Sequence, residues 1–433
     1  MQPAQSFNFM NAYPVRHFRL ENGLEAYLVH NPISPVVAFL THYTVGSAAE
    51  GENERGLAHF FEHMMFRETE RLRDGDFDRI VAEAGGVGLN AFTSYDTTAY
   101  HVNLPAAQLE RVVTLEADRM VNLRLSPELI EAERGAVLGE IAMYQDMPSE
   151  QLWNTLMREA FPTHPYRHPI VGYREQVQAF TDEDFARFYR AHYAPNRAVV
   201  VVAGGFDEPA VRDLIARSYG GLAPGAARPP SAAPDGPWEE SRRVELRHEK
   251  VSSETLMMAW RSPGLIHPRL PALLLLGAVL SGGQSSPLHR RIVLKGLGTH
   301  ASAFTLESSM MLVSPGLVLL DVALQHGVPA ERAEEEVLAL LEALAREGIA
   351  GEELERALNQ VRLHWHASLG TNMSLARQLG GYAVATGDPL FGQRLLARLE
   401  QVSAQEVQEA LRDYLTTAPR LTVIQRPGEP ETP

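Results

Sequence analysis

Cysteine is absent from this chain of 433 residues. That excludes a disulfide framework, a thiolate metal centre and a cysteine nucleophile, so any metal must be held by histidine and carboxylate groups. Lysine is nearly absent as well, Lys250 and Lys295 standing alone among 39 basic residues. The arginine excess points to a GC-rich genome more than to a function. No apolar run reaches the length of a membrane span, and the longest, LPALLLLGAVL at 270–280, reads as a buried helix. The N-terminal stretch MQPAQSFNFMNAYPVRHF lacks the basic region and apolar core of a secretory signal. A soluble cytoplasmic protein without a membrane partner is therefore expected. Basic runs are missing too, and a formal charge of −15 makes the surface repel polyanions, which argues against nucleic acid as a partner.

What the chain does contain is His59-Phe60-Phe61-Glu62-His63, within GLAHFFEHMMF. Two histidines four apart on a helix project from one face, one turn apart, and Glu62 lies beside His63 on that side. Neutral imidazoles are good zinc ligands, and a neighbouring carboxylate that does not bind the metal can take a proton from a zinc-bound water. The HxxEH order is the inverse of the zincin motif HExxH.

The chain is longer than a single hydrophobic core usually sustains, so two domains are expected. The clearest boundary is GLAPGAARPPSAAPDGPWEE at 221–240, where five prolines mark an extended linker. This gives an N-terminal domain at 1–220, the linker at 221–240 and a C-terminal domain at 241–433. Each half closes with a helix, a polar turn, a proline and a β-branched run: TDEDFARFYRAHYAPNRAVVVVAGGF from Thr181, and SAQEVQEALRDYLTTAPRLTVIQRP from Ser403. SPELIEAERGAVL from Ser126 pairs likewise with GEELERALNQVRL from Gly351. The expected fold class is α+β, with two homologous domains, each a mainly antiparallel sheet covered by helices on one side.

A catalytic zinc usually has three protein ligands and one open position. The third would come from the helix beginning at Ser126 with Pro127 just inside it. On that helix Glu133 and Glu140 fall on one stripe, seven residues and about 10 Å apart, so both cannot bind the same ion. One is a ligand and the other supports it. Spacing alone does not choose between them.

Four segments together carry a resemblance: HFFEHMMF, GGVGLNAFTSYDTTAYHVNLP, ERGAVLGEI and HPYRHPIVG. They resemble the inverzincin metallopeptidases of the pitrilysin, insulin-degrading enzyme and mitochondrial processing peptidase group. The likeness covers the first half and, more weakly, the second. The resemblance implies that His59, His63 and Glu140 bind one zinc ion per chain, that Glu133 supports the site and that Glu62 is the general base for peptide hydrolysis. It further implies that the strand matching LNAFTS is an exposed edge to which a peptide substrate adds, with Asn90, Ala91 and Phe92 in contact. From the residues alone, Leu89 to Leu104 reads as a hairpin turning at Ser94-Tyr95-Asp96. Gly85-Gly86-Val87-Gly88 lacks the GxGxxG pattern and reads as a turn. His364 and His366, two apart, read as ordinary core or surface histidines.

The second half has no HxxEH. Near SSPLHRRIVLKGLGTHASAF, members of the resembling family that work alone or as identical pairs carry an arginine and a tyrosine that hold the oxyanion. This chain has Val293 and Thr299 or His300 near those positions, with Arg290 and Arg291 out of register. The resemblance therefore implies a zinc-bearing subunit completed by a homologous zinc-less subunit that supplies the Arg/Tyr pair, the two enclosing unfolded peptides in a chamber. The alternatives are a homodimer in which His300 or a nearby arginine substitutes, and a non-catalytic scaffold subunit.

Overall fold

The structure is a computed structural model and describes residues 5–9, 13–227 and 231–428. Residues 228–230 of the proline-rich linker lie outside the described residues. The strands are β1 (Gln5–Phe9), β2 (Tyr13–Arg19), β3 (Glu25–His30), β4 (Val36–Tyr43), β5 (Val87–Thr93), β6 (Thr98–Pro105), β7 (Ala198–Gly204), β8 (Arg242–His248), β9 (Thr255–Arg261), β10 (Gly298–Thr305), β11 (Leu317–Leu324) and β12 (Leu421–Pro427).

They form two sheets, ordered β1-β2-β3-β7-β4-β6-β5 and β10-β11-β9-β12-β8. Each is antiparallel except for one parallel pair, β3 with β7 and β8 with β12. Followed outward from those pairs, β3-β7-β4-β6-β5 corresponds strand for strand to β8-β12-β9-β11-β10. The duplication legible in the sequence is thus a duplication of topology. Even the local signals repeat. The helices Asp182–His192 and Ala404–Leu411 each begin with a reciprocal capping box, Thr181 with Asp184 and Ser403 with Glu406, and lead back to β7 and β12.

β7 shows why the first sheet is covered on both faces. Its sequence AVVVVAG is buried throughout, as a central strand requires. Val200 and Val202 join the main core of this unit, together with Phe60 and Phe61, while Val201 points the other way. There it meets the helix Asn372–Thr386, where Gly380 lets the backbone come close: a Cβ at that position would lie 2.6 Å from His42 and 3.1 Å from Val201.

That helix belongs to the second half of the sequence but packs on β4 and β7 of the first sheet. Its counterpart Pro148–Ala160, from the first half, packs on β12, with Gln425 donating to the Pro148 carbonyl at 2.7 Å. The compact units are accordingly 1–142, 168–231 and 368–393 for the first, and 143–167, 232–367 and 394–433 for the second. This differs from the contiguous domains 1–220 and 241–433 expected from the linker. A helix's apolar period shows that one face is buried, but not which sheet buries it. The run at 270–280 lies in the helix Leu270–Ser281, most of which is buried. Among the described residues no helix is long and apolar enough to cross a membrane.

Candidate metal centre

The HxxEH segment is the helix Leu57–Met64. Leu57, Ala58, Phe60, Phe61 and Met64 are fully buried on one side, and Phe61 stacks on Phe188 and Tyr189. This anchoring leaves His59, Glu62 and His63 on the other side. The helix starts abruptly at Gly56, whose φ of 106° favours glycine, and no side chain of its own caps it. The Glu50 carboxylate does so from a distance, accepting the N–H of Gly56 at 3.0 Å and of Ala58 at 2.8 Å. Burial pushes the Glu50 carboxyl up to about 8, against the pull of those two bonds.

The helix Pro127–Gln145 supplies the glutamates. Glu140 Oε2 lies 3.6 Å from His59 Nε2 and 3.3 Å from His63 Nε2. A tetrahedral zinc with bonds of about 2.0–2.2 Å separates its ligand atoms by roughly 3.3–3.6 Å, so these spacings fit such an ion. Among the described residues, His59, His63 and Glu140 form the one group of three potential ligands whose atoms converge, all within 4.8 Å of one another. His364 and His366 are exposed and outside it.

Glu133 occupies the opposite side of His63. Its Oε1 accepts from His63 Nδ1 at 2.9 Å, and its Oε2 is held by the Arg67 guanidinium. The bond at Nδ1 leaves the Nε2 lone pair directed at the His59–Glu140 side. Burial opposes charge on both members of this pair, yet the pairing prevails: Glu133, with Arg67 also on it, is held below the usual carboxylate range. His63 is raised by the bond to Glu133 and by the charges of Glu133, Glu140 and Glu62. Glu133 is nearly buried while Glu140 is partly open, at 5% and 26% side-chain exposure, which suits a supporting and an accessible carboxylate respectively.

Asn90, Ala91 and Phe92 lie on β5, the edge strand of the first sheet. The hairpin pairs Asn90 with His101, Ala91 with Tyr100, Phe92 with Ala99 and Thr93 with Thr98. The Asn90 side chain accepts the Ala91 N–H at 2.9 Å, so that donor is satisfied within β5 itself. Thr93, at the end of β5, donates its hydroxyl to Glu62 Oε2 at 2.7 Å. Sequence reasoning missed this residue. The signal was strand alternation, which sets Thr93 on the same face as Ala91, toward the helix that carries Glu62. A cleft of about 270 Å³ beside His63 is lined by Phe66, Arg67, Asp74, Asp78 and Glu133.

In the second unit, the polar side chains near Val293 and Thr299 have local partners. Arg290 pairs with Glu353 at 2.8 Å and Arg291 with Glu336, while Thr299 Oγ1 donates to the Ala323 carbonyl.

Comparison with known proteins draws these observations together. Residues 27–173 match the insulinase, or peptidase M16, family, and residues 179–361 match its inactive domain. The chain belongs to the insulinase family of zinc peptidases. Its relatives in that family include the Helicobacter pylori zinc protease PqqE, 28% identical over 84% of this chain and 81% of that protein. They also include a probable mitochondrial-processing peptidase subunit beta of Schizosaccharomyces pombe, 27% identical over 90% of this chain and 86% of that protein. Among solved structures, a Helicobacter pylori protease superposes with a TM-score of 0.87 at 25% identity, covering 95% of this chain and 99% of that one. The fold also matches the Escherichia coli periplasmic protease PqqL with a TM-score of 0.80 at 20% identity, covering 98% of this chain but 48% of that longer one. Two sheets with helices, mostly antiparallel, are thus the architecture of the insulinase family.

Proposed function

We propose that this chain is the zinc-bearing subunit of a peptidase that hydrolyses unfolded peptides. The observation that carries the reading is the convergence of His59, His63 and Glu140, with Glu140 Oε2 at ligand–ligand spacing from both Nε2 atoms, beside a carboxylate, Glu62, tied to the edge strand. One zinc ion held there would supply Lewis-acid polarisation and make a water acidic near neutral pH. Glu62 takes the proton of the attacking water and returns it to the leaving nitrogen. Glu133 holds His63 in the tautomer that presents Nε2. An extended peptide pairs with the free edge of β5 alongside Asn90, Ala91 and Phe92, through backbone bonds, so that many sequences are accepted.

The oxyanion donors come from a homologous zinc-less subunit carrying the Arg/Tyr pair, and the two subunits enclose the substrate. Support comes from Val293 and Thr299 where an arginine and a tyrosine would be needed, and from the commitment of Arg290 and Arg291 to ion pairs. Fold likeness to a chain about twice as long is consistent with two such subunits making one chamber. The test is hydrolysis of a quenched peptide by the purified chain with and without the homologue encoded nearest to it. A large gain on mixing is expected. Full activity of the chain alone, unchanged on mixing, would replace the heterodimer by a self-sufficient homodimer.

A further inference from the structure

Arg377 lies on the helix Asn372–Thr386, the element that the second half of the sequence contributes to the first unit, and its side chain is exposed. Its Nη2 lies 2.5 Å from His101 Nε2, and its guanidinium carbon sits 5.3 Å from the centre of the Phe92 ring. Both neighbours are neutral. Burial first, and then the charge of Arg377 itself, press the His101 imidazole down to about 4. With Arg377 donating, His101 accepts at Nε2, and the guanidinium lies over the Phe92 ring, a cation–π contact that adds a second tether. Among the described residues no carboxylate forms an ion pair with Arg377. The cation is oriented without being neutralised, and most of its five donors remain for a further partner.

Its position relative to the edge strand says what that partner is. Residues opposite one another in an antiparallel pair share a face, so Asn90, Phe92 and His101 lie on one face, and Ala91, Thr93 and Tyr100 on the other. Thr93 holds Glu62, so the base is on the Ala91 face and Arg377 is on the reverse. Arg377 therefore does not replace the missing oxyanion donor. A peptide paired with the free edge of β5 points the side chain opposite Ala91 toward the metal side, and the next side chains along point toward Phe92 and Arg377.

We infer that Arg377 is a specificity-determining residue that selects an acidic side chain in the substrate, on the face of the bound strand turned away from the metal. The inference rests on the peptide-binding reading of β5. A guanidinium already tethered by His101 and Phe92 can meet a carboxylate through two parallel N–H bonds with less ordering left to do.

Two readouts on the assembled protein test it. Quenched peptides of one scaffold, with Glu, Gln or Lys substituted at each position in turn, are scored for kcat/KM. The same peptides are titrated against the Glu62→Gln protein by fluorescence anisotropy, which does not depend on turnover. The expected result is one position, or two positions two residues apart, where Glu exceeds Gln by about tenfold in both readouts. Arg377→Gln should abolish that ratio, Arg377→Lys should keep part of it, and Arg377→Glu should turn the preference to Lys. Loss of activity on every peptide alike, with the ratio preserved, would assign Arg377 a structural role and overturn the inference. So would a wild-type protein that binds and cleaves peptides with no preference for Glu at any position. Failure of the peptidase reading is distinct: no peptide would be cleaved, while the anisotropy arm would still report whether Arg377 selects a carboxylate.

Discussion

The Thr93 hydroxyl donates a 2.7 Å hydrogen bond to Glu62 Oε2, joining the last residue of the edge strand to the carboxylate beside the two histidines. The strand proposed to hold the substrate and the group proposed to move the proton are thus one hydrogen bond apart. A bond to a charged group contributes about 1.5–3 kcal/mol, and its loss frees the carboxylate to rotate. Thr93→Val should therefore lower kcat about tenfold or more with little change in zinc content, and Thr93→Ser should recover most of the loss. An unchanged kcat in Thr93→Val would show that Glu62 is positioned without it.

Glu133 touches His63 at Nδ1 and not at Nε2, so its removal should weaken the site without abolishing it. Carboxylates that orient a ligating histidine typically contribute about 10–100-fold in metal affinity. Glu133→Gln is expected to lose zinc to a competing chelator within that range, and Glu140→Gln to lose it more readily. The reverse ranking in the same competition would exchange the roles of the two glutamates.

Arg119 is fully buried, paired with Glu116, and set among the rings of Phe66, Phe77 and Tyr100 at 4.4–5.3 Å. It also donates to the Met65 carbonyl just beyond the histidine helix. Replacing it by Met leaves Glu116 buried without its cation, which costs about 3–5 kcal/mol. Denaturant unfolding should show that loss for Arg119→Met, and a smaller one when Glu116→Gln is added. Equal losses in the single and double variants would mean that packing on the rings, not charge, dominates.

His164, in the HPYRHPIVG segment, uses both ring nitrogens: Nε2 lies 3.1 Å from Ser314 Oγ, and Nδ1 accepts the Tyr166 N–H. Burial lowers the imidazole to about 4, Asp235 opposing and Arg261 adding to the shift. The unfolded chain, with a histidine pKa of about 6.5, therefore binds one more proton than the folded chain between about pH 4 and 6.5. The His164 contribution to stability is complete above pH 6.5 and is lost as the pH falls toward 4. His164→Asn should flatten the fall in unfolding free energy over that window by up to about 1.4 kcal/mol per pH unit. An unaltered slope would show that His164 titrates normally in the folded protein.

The His59–His63 spacing was legible because the chemistry is local: two ligands and a base on a single turn of helix. The duplication was legible for a related reason, since capping residues and β-branched runs repeat in order. Glu133 and Glu140 were visible as a pair on one stripe, but spacing alone could not assign their roles, which depend on which nitrogen of His63 each one faces. Thr93 was within reach through the alternation of β5. Arg377 and the exchange of the helices Pro148–Ala160 and Asn372–Thr386 were not, because an amphipathic period carries no record of its partner.

The most direct test of the peptidase centre is the hydrolysis rate of Glu62→Gln measured on protein whose zinc content is known. Loss of a positioned general base lowers the rate by about a hundred- to ten-thousandfold. The account predicts that this variant, assembled with its partner, keeps one zinc per chain and loses peptide hydrolysis to that extent. Hydrolysis at the wild-type rate in a zinc-loaded Glu62→Gln protein would contradict it.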